Sequence, residues 1–241
     1  MRKAQLVVSN VVAGYKTYKI RNISFSLQSG DILGLLGRSG AGKSTVISAL
    51  LGTHKALSGS IDFFVDGKKE PLTKYVGYSP QFNSLYPFLT VKENILSFAS
   101  LYGIPREDAY NRMNYFLKRL NLSGSENKLV TQLSGGMKKR LDLIISLIHN
   151  PLVIILDEPF AGLDIYLQVF LWKFIKELAH EGKIIIIASH LINSVQRNCN
   201  KFALIYNGYY YDNNQLVNSM IKSREVNIED FLVKLFIGGN H

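Results

Sequence analysis

Hydrophobic and polar positions in the first part of the chain follow the patterns of strands. Stretches near residues 5–12, 19–28 and 59–65 have alternating or apolar patterns, and the last closes on Asp66-Gly67, a strong hairpin-turn dipeptide. Residues 31–37, DILGLLG, have a continuous apolar run after Asp31, which is typical of a strand that is buried on both faces of a sheet. The pattern predicts an antiparallel β region joined to a buried strand of a parallel sheet.

Residues from about 82 to 148 follow the period of helices. Thr90 and Glu93 predict a capping box, in which each side chain bonds the backbone N–H of the other at the start of a helix. After Pro105 a row of apolar residues recurs at helical spacing and predicts a packed face: Ala109, Met113, Phe116, Leu117 and Leu120. We interpret this block as a helical insertion between two halves of one sheet.

The α/β pattern returns after about residue 150. Apolar strands are predicted at 152–156 and 183–189, with a helix from about 165 to 180 that ends at Gly182. The helix should bury one stripe of residues: Leu167, Phe170, Leu171, Phe174, Ile175 and Leu178. Apolar strands that alternate with helices predict a parallel sheet with both faces covered.

The composition is that of an ordered globular protein, with 47% hydrophobic and 19% charged residues and 6 prolines among 241 residues. The longest apolar runs are far shorter than the roughly 20 residues that a membrane span needs. We expect no membrane span and no secretory signal. The single cysteine, Cys199, cannot form an internal disulfide and is typical of a reducing cytoplasm.

The net charge of +10 suits nucleic acid, an anionic membrane surface or a polyphosphate ligand. Basic residues spread over a solvated surface are a simpler explanation, because basic runs such as 138–140 are short. The charge alone therefore does not select a partner.

The segment GRSGAGKST at 37–45 is a complete phosphate-binding loop, and it lies between a predicted strand and a predicted helix. Its glycines allow backbone N–H groups to turn inward around a polyphosphate. Lys43 should reach the β- and γ-phosphates, and Ser44 should ligate Mg²⁺. The candidate nucleotide-binding residues are Gly37, Arg38, Ser39, Gly40, Ala41, Gly42, Lys43, Ser44 and Thr45.

Further candidate residues follow other predicted strands. Asp157 and Glu158 end a buried strand, where Asp157 would bind Mg²⁺ and Glu158 would orient or deprotonate a water. His190 ends another strand that should lie beside the first two, so it would contact the γ-phosphate. The amide of Gln81 would ligate Mg²⁺ or position water, and a polar loop residue without either role is the alternative. For Asp157 and Glu158, the alternative is a role in a turn or as a helix cap.

The order of these motifs resembles the nucleotide-binding domain of ABC transporters. The matching pieces are GRSGAGKST, Gln81, LSGGM at 133–137, IILDEP, AGLD at 161–164 and His190. The resemblance covers nearly the whole chain and implies a single ABC ATPase domain over residues 1–241 with the P-loop NTPase fold. A RecA-like parallel-sheet core and an N-terminal antiparallel β subdomain would together take up about 1–81 and 150–215, with a helical subdomain at about 82–149 and a C-terminal helix at about 226–237.

The resemblance also implies roles for single residues. Gln81 would be the Q-loop residue, His190 the switch histidine, and Asp164 the D-loop residue at a dimer interface. Tyr15 is the best match for the aromatic residue that stacks on adenine, with Tyr18 nearby. The signature residues, Ser134, Gly135 and Gly136, would act on the ATP that a partner subunit holds. Met137 stands where the family most often has Gln, as in subunits of many drug, polysaccharide and bacteriocin exporters.

The function implied by this resemblance is that of a bacterial ATPase subunit at the cytoplasmic face of the membrane. It would bind ATP and Mg²⁺, dimerise with a second copy or a homologous ATPase, and drive export through a separate integral membrane permease. A soluble ABC-type ATPase that acts on ribosomes or nucleic acid is the alternative, and we expect no nucleic-acid partner. A P-loop kinase or GTPase would not explain LSGGM, Glu158 or His190.

Overall fold

The computed structural model describes residues 2–15 and 17–223. Ten strands lie in this part of the chain: β1 (Ala4–Gly14), β2 (Lys19–Gln28), β3 (Ile32–Leu36), β4 (Ser58–Val65), β5 (Lys68–Glu70), β6 (Val76–Ser79), β7 (Val153–Asp157), β8 (Ile184–Ser189), β9 (Lys201–Tyr206) and β10 (Tyr209–Tyr211). They form one sheet in the order β5-β4-β1-β2-β10-β9-β3-β8-β7-β6.

The N-terminal part of the sheet is antiparallel, as the sequence predicts. β1 pairs with both β2 and β4, and β4 continues through a tight turn into β5. Asp66 and Gly67 in that turn have φ values of 50° and 80°, the conformation that an Asp-Gly hairpin turn requires. The polar, alternating strands therefore form a hairpin region at one edge of the sheet.

The other part of the sheet is parallel and contains β9, β3, β8, β7 and β6. Leu36 pairs with Ser189, and Asp157 pairs with Ala188, so β3, β8 and β7 end at the same level. This confirms that the strand before His190 lies beside the other two. Because carboxyl ends of parallel strands meet at one edge, the candidate residues that follow them are gathered there.

Helices cover both faces of this parallel part. The described residues form α1 (Lys43–Leu50), α2 (Val91–Leu101), α3 (Arg106–Arg119), α4 (Gly135–Leu147), α5 (Ile165–His180), α6 (Ile192–Asn198) and α7 (Asn213–Ser223). Ile154 and Leu156 of β7 pack in one hydrophobic core with α2, α3, α4 and α5, whereas Val153 and Ile155 pack in a second core with α1, β1 and β2. The continuous apolar pattern of the strand thus corresponds to burial on both faces.

Several local predictions are confirmed. Thr90 and Glu93 form the capping box of α2, and the predicted apolar residues of α3 lie in the core or pack against it. Helix α5 ends next to Gly182, whose φ of 85° is the left-handed conformation that follows many helices. The predicted helix at about 226–237 lies outside the described residues. No helix among the described residues has the length and apolar character to cross a membrane.

Candidate active site

The loop 37–45 connects the end of β3 to the start of α1. Gly42 has a φ of 101°, and a Cβ at this position would lie 2.6 Å from Cδ1 of Ile20. Only glycine suits both the backbone conformation and the space. Lys43 is buried, and its Nζ donates hydrogen bonds to the carbonyl oxygens of Gly37 at 2.8 Å and Arg38 at 3.3 Å. Ser39 and Gly40 are exposed at the outer rim of the loop.

Ser44 and Asp157 form the part of the site that suits a divalent cation. Oγ of Ser44 donates a hydrogen bond to Oδ2 of Asp157 at 2.9 Å. Burial raises the pKa of the Asp157 carboxyl, and the hydrogen bond from Ser44 acts in the opposite direction. A hydroxyl and a carboxylate are hard oxygen ligands of the kind that Mg²⁺ prefers, so the residues fit this ion.

Gln81 lies just beyond β6, which pairs with β7 in register, Ser79 opposite Leu156. Its side chain is exposed at the edge where Asp157 ends the neighbouring strand. The described residues contain no group of three or more His, Cys, Asp or Glu side chains that could hold a metal. A cation here would take its remaining ligands from phosphates and water, which is usual for Mg²⁺ in nucleotide sites.

Glu158 links the loop to His190. Its Oε1 lies 3.4 Å from Nζ of Lys43, and its Oε2 lies 2.9 Å from Nδ1 of His190. Glu158 is buried and has a φ of 48°, an uncommon conformation for a residue with a side chain. Such backbone strain costs about 1–3 kcal/mol and is concentrated at functional sites. The carboxylate of Glu158, at the end of β7, thus lies between the buried ammonium group of Lys43 and the imidazole of His190.

The two candidate adenine-stacking residues have different surroundings. The hydroxyl of Tyr18 donates a hydrogen bond to the carbonyl oxygen of Ala41 at 2.7 Å, so this side chain contacts the phosphate-binding loop. The ring of Tyr15 lies 4.4 Å from the ring of His54. Both tyrosines are exposed, and the role of Tyr15 stays a prediction.

The signature residues begin α4. Ser134 is the N-cap, and its Oγ accepts a hydrogen bond from the backbone N–H of Met137 at 3.2 Å. A Cβ on Gly135 would meet nothing within 4 Å, whereas one on Gly136 would lie 2.8 Å from Cδ1 of Leu167. The start of α4 is therefore packed on α5 along one side and open along the other.

Asp164 caps α5. Its Oδ1 accepts a hydrogen bond from the backbone N–H of Leu167 at 2.9 Å, which fixes the start of the helix beside α4. This structural role was not part of the sequence-based prediction. It is compatible with the predicted position of Asp164 at a dimer interface, which stays a prediction.

Sequence reasoning missed two groups at the site. One is the Lys43–Glu158 ion pair, which joins residues that are far apart in the chain. The other is Lys139, whose Nζ donates hydrogen bonds to the carbonyl oxygens of Pro80 and Gln81, each at 2.9 Å. The sequence offers no signal for the role of Lys139, because this residue stands in the basic run 138–140, which is typical of a solvated surface.

A family model described as an ABC transporter matches residues 20–161, more than half of the chain. The chain belongs to the ABC transporter family. The matched region of this ABC protein includes the phosphate-binding loop, Gln81, the signature residues and the acidic pair. The family prediction that was made from the motifs is thereby confirmed, and with it the P-loop NTPase fold class.

Curated relatives of this ABC protein include Nod factor export ATP-binding protein I of Burkholderia thailandensis. It is 36% identical over 192 residues, which cover 78% of this chain and 63% of the relative. An uncharacterized ABC transporter ATP-binding protein of Methanocaldococcus jannaschii is 33% identical over 86% of this chain and 76% of its own length. The chain spans less than two thirds of the length of the Nod factor relative.

Solved structures support the same fold. The ATP-binding subunit of an ABC transporter superposes with a TM-score of 0.82 over 96% of this ABC protein and 99% of that chain, at 24% identity. An inward-facing putative metal-chelate type ABC transporter has a TM-score of 0.78 over 90% of this chain and 86% of that chain, at 27% identity. Both therefore have the mixed α/β fold of this ABC protein.

Proposed function

We propose that this chain is the ATP-binding and ATP-hydrolysing subunit of an ABC transporter that exports its substrate through a separate membrane subunit. The observation that carries the proposal is the row Lys43–Glu158–His190 beside the Ser44–Asp157 pair. These five side chains come from the ends of three neighbouring parallel strands and the phosphate-binding loop. They bring a cation, a metal-binding pair and a base to one sheet edge.

Each group has a role in phosphoryl transfer to water. Lys43 would neutralise negative charge on the transferred phosphoryl group, which is the largest source of stabilisation in such reactions. Ser44, Asp157 and Gln81 would hold Mg²⁺, which supplies further charge neutralisation when it is bound. Glu158 would accept a proton from the attacking water, and His190, hydrogen-bonded to Glu158, would keep that carboxylate in place.

The site is completed in this proposal by a second copy of the chain or a homologous ATPase. The backbone N–H groups at the start of α4 and the dipole of the helix form an anion-binding end. Ser134, Gly135 and Gly136 would face the γ-phosphate held by Lys43 of the other copy, with Asp164 nearby. The open side of Gly135 supports this arrangement, since it leaves space for a phosphate.

The adenine base would stack on Tyr15, as the family resemblance implies. The contact between Tyr18 and Ala41 supports a second role, in which Tyr18 holds the phosphate-binding loop from the outside. A tyrosine ring can stack on a base while its hydroxyl stays hydrated.

The membrane subunit would dock beside Gln81. Phe82, Tyr86 and Phe88 are exposed aromatic side chains in the segment that follows Gln81, and such clusters mark interaction sites. Docking there would connect the partner to the Mg²⁺ ligand and place the ATPase at the cytoplasmic face of a bacterial membrane. Co-purification from the source organism should recover a stable complex with an integral membrane protein, and recovery of ribosomes or RNA instead would contradict this partner.

The substitution Glu158→Gln tests the proposal. It keeps the size of the side chain but removes the base, so the ATP hydrolysis rate should fall by about 100-fold or more while ATP binding persists and an ATP-bound dimer accumulates. Phosphate release and sedimentation measure these effects. Glu70→Gln on β5, near the opposite edge of the sheet, is the matched control and should hydrolyse normally. An unchanged hydrolysis rate in Glu158→Gln would show that Glu158 is not the base that accepts a proton from the attacking water.

A further inference from the structure

Two buried side chains of α4 hold the segment 80–84 that contains Gln81. Lys139 is 7% exposed, and its Nζ donates hydrogen bonds to the carbonyl oxygens of Pro80 and Gln81, both at 2.9 Å. Asp142 is 2% exposed, and its Oδ1 accepts a hydrogen bond from the backbone N–H of Ser84 at 3.3 Å. Three backbone groups of one short segment are therefore bound to one helix.

The contacts of Lys139 are not explained by stability alone. Removal of an ammonium group from water costs free energy, and burial lowers the pKa of Lys139 accordingly. The negative charges of Asp142, Asp157 and Glu158 oppose this effect. Hydrophobic residues of similar volume often replace buried charges without loss of stability. The position thus keeps a cation where an apolar side chain would fill the same space.

The position of Lys139 on its helix relates two distant parts of the site. Ser134, Gly135 and Gly136 lie at the N-terminal end of α4, and Lys139 follows about one turn later. A helix of this length moves as a rigid element. A displacement of the signature residues would therefore be carried to the carbonyl oxygens of Pro80 and Gln81, and so to the predicted Mg²⁺ ligand.

Arg140, which follows Lys139 on α4, contacts a different region. Arg140 donates from Nη1 to the carbonyl oxygens of Leu120 and Asn121 at 3.0 and 3.1 Å, which ties α4 to the end of α3. Arg140 thus makes contacts within the helical block, whereas Lys139 makes contacts at the edge of the sheet. Of these two cations, Lys139 is the one whose hydrogen bonds reach the segment that carries Gln81.

We propose that Lys139 is a positioning residue that couples the two nucleotide sites of a dimer through α4. In each copy the start of α4 senses the nucleotide of the partner, and Lys139 transmits its position to Gln81 of its own site. Asp142 holds the far end of the same segment, so that the segment moves with the helix. The proposal rests on the ATPase function proposed above, and it adds a route for communication between the sites.

The substitution Lys139→Met in the full chain tests the coupling. Loss of both hydrogen bonds should leave the affinity of the isolated subunit for ATP within about twofold, reduce the maximal hydrolysis rate about 10-fold and lower the Hill coefficient for ATP to about 1. Lys138→Met is the matched control, with the same change one position earlier, and should retain the Hill coefficient of the wild type. Lys139→Arg should restore cooperativity, because a guanidinium can also donate to two carbonyl oxygens.

A second measurement separates positioning from a general loss of structure. A tryptophan introduced at the exposed position 82 reports the surroundings of the segment, and its fluorescence should change on dimer formation in the wild-type background but not with Lys139→Met. If Lys139→Met does not fold, Lys139→Leu carries the same test, because leucine also lacks a hydrogen-bond donor.

The outcomes distinguish this inference from the proposed function. Absence of hydrolysis in the wild type would contradict the ATPase itself. Hydrolysis in the wild type with a Hill coefficient of 1, or an unchanged coefficient and fluorescence response in Lys139→Met, would overturn the coupling and leave the ATPase intact.

Discussion

The chain contains two segments that can bind an anion, and their surroundings differ. The loop 37–45 is enclosed by its own chain, since Lys43 is buried, Ser44 is bonded to Asp157, and Ile20 packs against Gly42. The start of α4 is open, since a side chain on Gly135 would meet nothing within 4 Å. A binding site that is complete within one chain has its counter-charges and walls in place. The start of α4 offers the N-terminal end of a helix and open space beside Gly135. These are the features expected of one half of a site that two chains share.

The surface beside the second segment supports the same distinction. The start of α5 packs against Gly136 through Leu167, and the next exposed side chains on that helix are apolar. Ile165 is 81% exposed, and Tyr166 and Val169 are also exposed. Apolar residues grouped around an open helix start are typical of a surface that another protein covers.

The largest effect should follow loss of the cation in the first segment. Lys43→Met removes a charged donor, which contributes about 1.5–3 kcal/mol, so ATP binding should weaken by about 10- to 100-fold. Hydrolysis should fall by at least about 100-fold. Equilibrium binding of a fluorescent ATP analogue and phosphate release measure both. ATP binding equal to that of the wild type would show that the loop is not the primary site.

A smaller effect should separate the glycines of the two segments. Gly42→Ala places a Cβ against Ile20 at a φ of 101° and should cost about 1–3 kcal/mol of stability, which lowers the melting temperature by several degrees. Gly135→Ala adds a Cβ in open space and should leave the stability unchanged or raise it by up to about 1 kcal/mol. Thermal unfolding of both variants checks the difference, and equal losses would contradict the contrast in packing.

The smallest effect concerns the pH dependence of stability at Asp142, which faces Lys139 on its own helix and the N–H of Ser84. Burial raises the pKa of Asp142 to about 7, against about 3.9 in an unfolded chain. The folded protein holds this proton more tightly, so its contribution to stability is full below about pH 4 and is lost as the pH rises to about 7.

Asp142→Asn should remove this dependence. The melting temperature of the wild type relative to the variant should fall by a few degrees between pH 5 and pH 8. Thermal unfolding at several pH values measures it, with the exposed Asp108→Asn as the control. A constant difference over this range would contradict the shifted pKa.

The strongly patterned parts of the fold were predictable from the sequence. The buried strands at 32–36, 153–157 and 184–189, the capping box at Thr90 and the end of α5 all follow from local rules. The capping box depends on two residues three positions apart, and the strands on continuous apolar runs. The phosphate-binding loop was predictable for the same reason, because all its parts lie within nine consecutive residues.

Features that depend on distant contacts were not predictable. Strand β5 is 3 residues long and β10 also has 3, too few for a pattern, and each is held by its neighbours in the sheet. The pairing of Glu158 with Lys43 and the contacts of Lys139 with Pro80 and Gln81 join segments that only the tertiary structure brings together. Sequence patterns give residue types and spacing, but they do not give these distances.

The central claim is that the open segment at the start of α4 acts on the nucleotide of another copy. Gly135→Asp places an anion where the γ-phosphate would dock, so this variant should bind ATP but not hydrolyse it. Lys43→Met should also be inactive, because its phosphate-binding loop lacks the cation while its signature residues stay intact. In a mixture of the two inactive variants, a mixed dimer has one site with an intact loop from one copy and an intact signature from the other.

The decisive measurement is the ATP hydrolysis rate of an equal mixture of Gly135→Asp and Lys43→Met. Half of the dimers would be mixed and each would have one intact site of two, so the mixture should recover up to about a quarter of the wild-type rate, and less to the extent that the two sites depend on each other. A rate that stays at the level of the separate variants would contradict the account, because a signature that acts within its own chain could not be restored by mixing.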